Sequence, residues 1–123
     1  MANLRQSLGR RGEDLAAAHF EDRGWTVLAR NYRAGPKEID LVAARGGVVA
    51  FVEVKARATA TGGTPLEPIR LLKRRAVETA ARRWILENGR PGITYRFDAV
   101  AVRIRGPAHE IEHIPDAWRP GQW

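Results

Sequence analysis

The chain has no cysteine, so neither a disulfide framework nor a thiolate metal site is available to it. Any metal must be held by oxygen or histidine. No apolar run approaches the roughly 20 residues of a membrane-spanning helix, and the polar, basic N-terminus carries no apolar leader segment. The expectation is a cytoplasmic protein without a membrane partner. Acidic charge is in short supply: 14 Asp and Glu stand against 21 Lys and Arg, a formal net charge of +7. In a small domain that imbalance favours polyanionic partners, nucleic acid first and an anionic membrane surface second. No repeat, low-complexity tract or linker interrupts the 123 residues. A single domain over 1–123 is expected, large enough to bury one core unaided.

What is present centres on residues 38–57, E-I-D-L-V-A-A-R-G-G-V-V-A-F-V-E-V-K-A-R. Two apolar strands are joined by Gly46-Gly47, a pair suited to the positive-φ geometry of a tight hairpin. Counting outward from that turn places Asp40 opposite Glu53 and Glu38 opposite Lys55. Period-two alternation puts all four on one face at the end away from the turn. Two carboxylates about 5 Å apart repel by roughly 3 kcal/mol at an effective dielectric near 20. Lys55 offsets part of that cost as an ion pair. A divalent cation would do so more completely and leave positions for water and phosphate. The competing reading is a salt-bridged strand end, but the flanking residues are almost wholly apolar, as in central strands covered on both faces. Charges seldom stay on such strands without a partner or a task.

An amphipathic helix is expected from about Gln6 to Arg23, ended by Gly24. Glu13 sits on the flank of its apolar stripe, where it can look toward the sheet or toward water. His19 reads as a packed or surface residue, because no second histidine lies at metal-binding spacing. Trp25–Arg33 reads as the first strand, and Ala34-Gly35-Pro36-Lys37 as the turn into the hairpin. After Arg57, a loop of small residues with two glycines and two prolines is a candidate for substrate contact or mobility. A second helix follows from Pro68 or Ile69 to Asn88, with an apolar stripe through Ile69, Leu72, Ala76, Ala80 and Trp84, widened by Val77, Ala81 and Ile85. Its other side carries Arg70, Arg74, Arg75, Arg82 and Arg83, with Lys73 nearby, either as a solvated face or as phosphate contacts, for which Arg70, Lys73, Arg74 and Arg75 are the candidates. Ile93–Arg105 is a fourth strand, His109–Ile114 a short fifth, and Asp98 a structural or supporting acid. The two tryptophans of the tail pack over the core edge or stack on bases. The order describes an α/β sandwich with helices flanking a mixed sheet, α-β-β-β-α-β-(β), whose helical crossover leads to a parallel strand.

Taken in order, G-R-R-G-E-D-L-A-A, A-R-N-Y-R, E-I-D-L-V, F-V-E-V-K-A-R, the basic K-R-R helix, R-F-D and I-E-H-I-P-D-A-W span nearly the whole chain. This set resembles the YraN family of bacterial presumed nucleases, which is similar to archaeal Holliday junction resolvases. The resemblance implies a restriction-endonuclease-like fold. It makes Asp40 and Glu53 the metal-binding acids, Lys55 the lysine of a D-x(n)-E-x-K signature, and Glu13 a further acid from the first helix. Lys37 departs from the pattern, since the family more often has glycine there; it can pair with Glu38 or meet phosphate. Asp40, Glu53 and the Val54 carbonyl would then hold Mg²⁺ or Mn²⁺, with Glu13 joining the ligand set and Lys55 orienting water or steadying phosphate. The implied activity is metal-dependent hydrolysis of DNA, branched or structured DNA included. A nucleic-acid-binding module or subunit that retains the acids without cutting is the alternative. Resolvase-like relatives act as dimers, so a homodimer is also implied, although no stretch is diagnostic of a dimer seam.

Overall fold

The computed structural model describes residues 4–58 and 71–120, without the side chains of Leu4, Arg5, Leu71 and Leu72. Two helices and five strands follow the order α1 (Leu4–Asp22), β1 (Thr26–Ala34), β2 (Lys37–Arg45), β3 (Val48–Ala58), α2 (Leu71–Asn88), β4 (Thr94–Arg105) and β5 (Ala108–Trp118). The strands form one sheet in sequence order, β1-β2-β3-β4-β5. Three of its pairings are antiparallel; β3 and β4 are parallel, as a helical crossover through α2 requires. The small-residue loop after Arg57 and the expected first turn of α2 at Pro68–Arg70 lie outside the described residues.

Each face of the sheet has its own core. Ala16, Ala17 and Phe20 of α1 pack with Leu41, Ala43, Ala50, Val52, Val100 and Val102 on one side. Val77, Ala80, Ala81 and Trp84 of α2 pack with Val42, Val49, Phe51, Phe97 and Trp118 on the other. These α2 residues recur at helical spacing, which is why the stripe was legible in the sequence. Burial on both faces explains the near-continuous apolar character of β2 and β3.

The fifth strand is a correction. It extends over eleven residues to Trp118, well beyond the short segment expected. The extension brings Trp118 onto Phe97, with ring centroids 5.2 Å apart, and its indole N–H donates to the buried Glu78 of α2 at 3.0 Å. The expected strand ends at Ile114, but the pairing bulges between Phe97 and Ala99 and resumes at Trp118. Trp123 lies outside the described residues.

Asp98 is structural. Although fully buried, it receives two bonds from the Arg96 guanidinium (2.9 and 3.1 Å), lies 2.8 Å from His113 Nε2, and accepts from the Asp116 backbone N–H at 3.0 Å. Burial alone would raise its pKa. The bonds from His113, Arg96 and Asp116 outweigh burial and hold it below the usual carboxylate value. His19 packs edge-on against Phe20 and His113, as an aromatic body rather than a ligand.

Candidate functional site

β2 and β3 pair from Arg45↔Val48 as far as Leu41↔Val52, in the register obtained by counting out from Gly46-Gly47. Gly46 takes the left-handed backbone that such a turn needs, with φ of 58°. Beyond Leu41 the two strands part. β2 continues along β1 through Tyr32↔Ile39 and Arg33↔Glu38, while β3 continues along β4 as far as Ala58↔Ile104. The result is a fork in the sheet, with Asp40 on one prong and Glu53 on the other.

This corrects one part of the expected cluster. Asp40 and Glu53 remain neighbours without being a ladder pair, and Glu38 does not face Lys55. Glu38 lies across from Arg33 and forms an ion pair with it at 3.7 Å. Counting assumes a ladder that runs to its end, and each prong here is claimed by its outer neighbour.

Asp40 turns into the fork, where its Oδ2 accepts from the Val54 backbone N–H at 2.8 Å. The carboxylate thus satisfies a strand donor that the parted ladder leaves open. Glu53 is buried, and its Oε1 lies 3.4 Å from the Lys73 ammonium, which comes in from α2. Its Oε2 is buried and receives no donor. The Asp40 carboxyl is close enough to hydrogen-bond Glu53, but a carboxyl donates only when protonated. Desolvation first, and Asp40 second, push the Glu53 pKa up to about 8. Asp40 is raised too, by burial, against the opposing effects of the Val54 N–H and Lys73.

Lys55 is two residues beyond Glu53 on β3, on the same side by alternation and half-buried. Glu13 approaches the fork from the opposite layer. Gly12 allows it: a Cβ there would meet Ala56 Cβ at 2.4 Å, so only glycine lets α1 lie this close to β3. Glu13 hydrogen-bonds Asn31 and feels the charges of Asp40 and Glu38, and burial raises its pKa. Asn31 has φ of 52° in the middle of β1, between the normal pairs Arg30↔Leu41 and Tyr32↔Ile39. The three acids Glu13, Asp40 and Glu53 do not converge into one ligand set. Among the described residues, no three acidic, histidine or cysteine side chains are placed to hold a single ion.

The basic residues expected on the outer side of α2 divide. Arg70 lies outside the described residues. Lys73 turns onto Glu53, and the Arg74 guanidinium lies over Trp118, 5.9 Å from the ring centre, with a buried Nε that has no partner. Arg75 is exposed. Sequence reasoning missed the inward turn of Lys73, for which no local signal exists. Asn31 did leave one: an asparagine inside a run of strand formers.

The family model described as "Uncharacterised protein family UPF0102" matches residues 12–102, which run from Gly12 beside the fork into β4. The chain belongs to the UPF0102 family. UPF0102 is the YraN family that the sequence motifs resemble. Similar UPF0102 proteins include one from Anaeromyxobacter dehalogenans (strain 2CP-C), 44% identical over 123 residues that cover 97% of this chain and 92% of the relative. One from Rhodococcus opacus (strain B4) is 42% identical, covering 91% and 96%. Another, from Syntrophotalea carbinolica (strain DSM 2380 / NBRC 103641 / GraBd1), is 39% identical over the full length of both chains. The span matched by the UPF0102 model contains Glu13, Asn31, Asp40, Glu53, Lys55 and Lys73 together.

Proposed function

We propose that this protein is a metal-dependent endonuclease of restriction-endonuclease-like fold, acting on DNA in the cytoplasm. The observation that carries the reading is the Asp40–Glu53 pair. Two carboxyls are held at a fork in the sheet, both with raised pKa, and one buried oxygen receives no donor. Such a pair is costly unless a cation or a proton resides there.

The donor set suits a hard divalent ion, Mg²⁺ or Mn²⁺, for which oxygen ligands are preferred. Asp40, Glu53 and the Val54 carbonyl would hold it. When bound, such an ion lowers the pKa of water and neutralises charge on a phosphodiester. The chain's own groups supply the rest. The Val54 N–H fixes one Asp40 oxygen and so orients the other. Lys55 orients the attacking water or steadies the phosphate, and Glu13 adds an acid from α1. The net charge of +7 draws the polyanion in. Branched or structured DNA is the substrate class suggested by analogy with resolvases, whose dimeric habit makes a homodimer the working assembly.

A second reading is favoured by the failure of the three acids to converge and by the ion pair that Lys73 makes with Glu53. On this view the protein is a nucleic-acid-binding module or subunit that cuts nothing. Duplex, single-stranded, flap and four-way-junction DNAs incubated with Mg²⁺ or Mn²⁺ separate the two. We expect cleavage by the wild type, most of it abolished in Lys55→Ala with metal binding largely retained, and both weakened in Asp40→Asn. Binding without cleavage of any substrate would establish the second reading instead.

A further inference from the structure

Three consecutive basic residues open the described part of the α2 surface, and they do three different things. Arg74 lies over Trp118 and Arg75 is exposed, but Lys73 points at the fork. Its Nζ lies 3.4 Å from Glu53 Oε1, and its charge also acts on Asp40. The two partners differ in solvent access: the Glu53 side chain is 7% exposed, whereas that of Lys73 is 42% exposed. One member of the pair is fixed in the sheet, and the other rests on it from the solvent side.

A lysine ammonium is a compact point charge on a flexible four-carbon stem, which costs little to redirect into water. It is also an incomplete partner. It reaches Oε1 and leaves Oε2 without a donor. We propose that Lys73 is the resident counter-cation of this site. It occupies Glu53 while no metal is bound, yields it to a divalent ion, and then presents its ammonium to a phosphate of the bound nucleic acid. This rests on the reading of Asp40 and Glu53 as metal ligands, and it assigns Lys73 a part that a solvated helix residue or a fixed structural ion pair does not have.

The test uses Mn²⁺ alone, without nucleic acid, on the full chain at mildly alkaline pH. Calorimetric titration and thermal unfolding are compared for the wild type, Lys73→Met and Lys73→Arg. Removal of the competing cation should make Mn²⁺ bind severalfold tighter in Lys73→Met. Arginine, whose planar fork grips a carboxylate at two points, should make it bind more weakly than in the wild type. Without metal, Lys73→Met should melt below the wild type; with saturating Mn²⁺ the difference should close. Equal Mn²⁺ affinity across the three proteins, or a melting difference that persists in Mn²⁺, would show a static structural pair and overturn the proposal. A wild type that binds no Mn²⁺ would fail the metal-site reading itself, a result visible before any variant is compared. In Ca²⁺, Lys73→Met should lower the salt slope of duplex binding by about one, with no change in the metal-free protein. An unchanged slope in Ca²⁺ would remove the phosphate contact.

Discussion

Glu53 and Asp98 are both buried acids, and the fold treats them in opposite ways. Asp98 is surrounded by donors from Arg96, His113 and the Asp116 backbone, which keep it ionised. Glu53 has a single ammonium and a second acid, and its pKa rises to about 8 through desolvation and then Asp40. A folded-state pKa above the ordinary value of 4.5 means that the folded chain holds this proton more tightly than the unfolded chain does. The stability it contributes is therefore full below about pH 4.5 and is lost as the pH rises through about 8. At about 1.4 kcal/mol per tenfold change in proton affinity, the loss is on the order of a few kcal/mol. Glu53→Gln should flatten this dependence and raise the metal-free melting temperature at mildly alkaline pH by about 3–10 °C. Cleavage should be lost in the same variant. Melting curves across the pH range check the sign; a variant less stable than the wild type at alkaline pH would show that Glu53 is stabilising when charged. Arg96 and Asp98 could be paired from sequence, standing two apart on one strand face. The contributions of His113 and Asp116 could not, because they depend on where β5 bulges.

At the scale of elements, the distance between α1 and β3 is set by two small residues. Gly12 and Ala56 meet where any added Cβ would overlap, and the Glu13 carboxyl sits one residue further along the helix. Gly12→Ala should destabilise the protein by about 1–3 kcal/mol through overpacking, despite alanine's better helix propensity. It should also displace Glu13 from Asn31. Adding Ala56→Gly should restore most of the stability, because it empties the space that the new methyl needs. Denaturant unfolding of the single and double variants checks this, and equal stability of Gly12→Ala and the wild type would mean that α1 does not press on β3. The glycine was visible in the sequence as part of the helix face. Its reason was not, since the contact joins residues forty-four positions apart.

For the molecule as a whole, the basic residues that open α2 are not equivalent toward a polyanion: Lys73 rests on Glu53, Arg74 lies over Trp118, and Arg75 is exposed. Arg75→Gln should weaken duplex DNA binding and reduce its salt slope by about one, whereas Arg74→Gln should chiefly lower the melting temperature. Affinity measured over a range of KCl concentrations, together with melting curves, tells them apart; identical behaviour of the two variants would refute the division. Local pattern was enough for the helix stripes, the hairpin turn, its register to Leu41↔Val52 and the parallel crossover. Each of these is a periodicity or a turn preference carried by neighbours in the chain. The two acids that meet at the fork, Asp40 and Glu53, were also nameable in advance, since acids on otherwise apolar strands stand out from their surroundings. Only the tertiary structure decided that the strands part beyond Leu41, that Glu38 goes to Arg33, that Lys73 turns inward and that Trp118 extends β5. Those outcomes are competitions among partners distant in sequence, settled by which contact removes more apolar surface or unpaired charge from water.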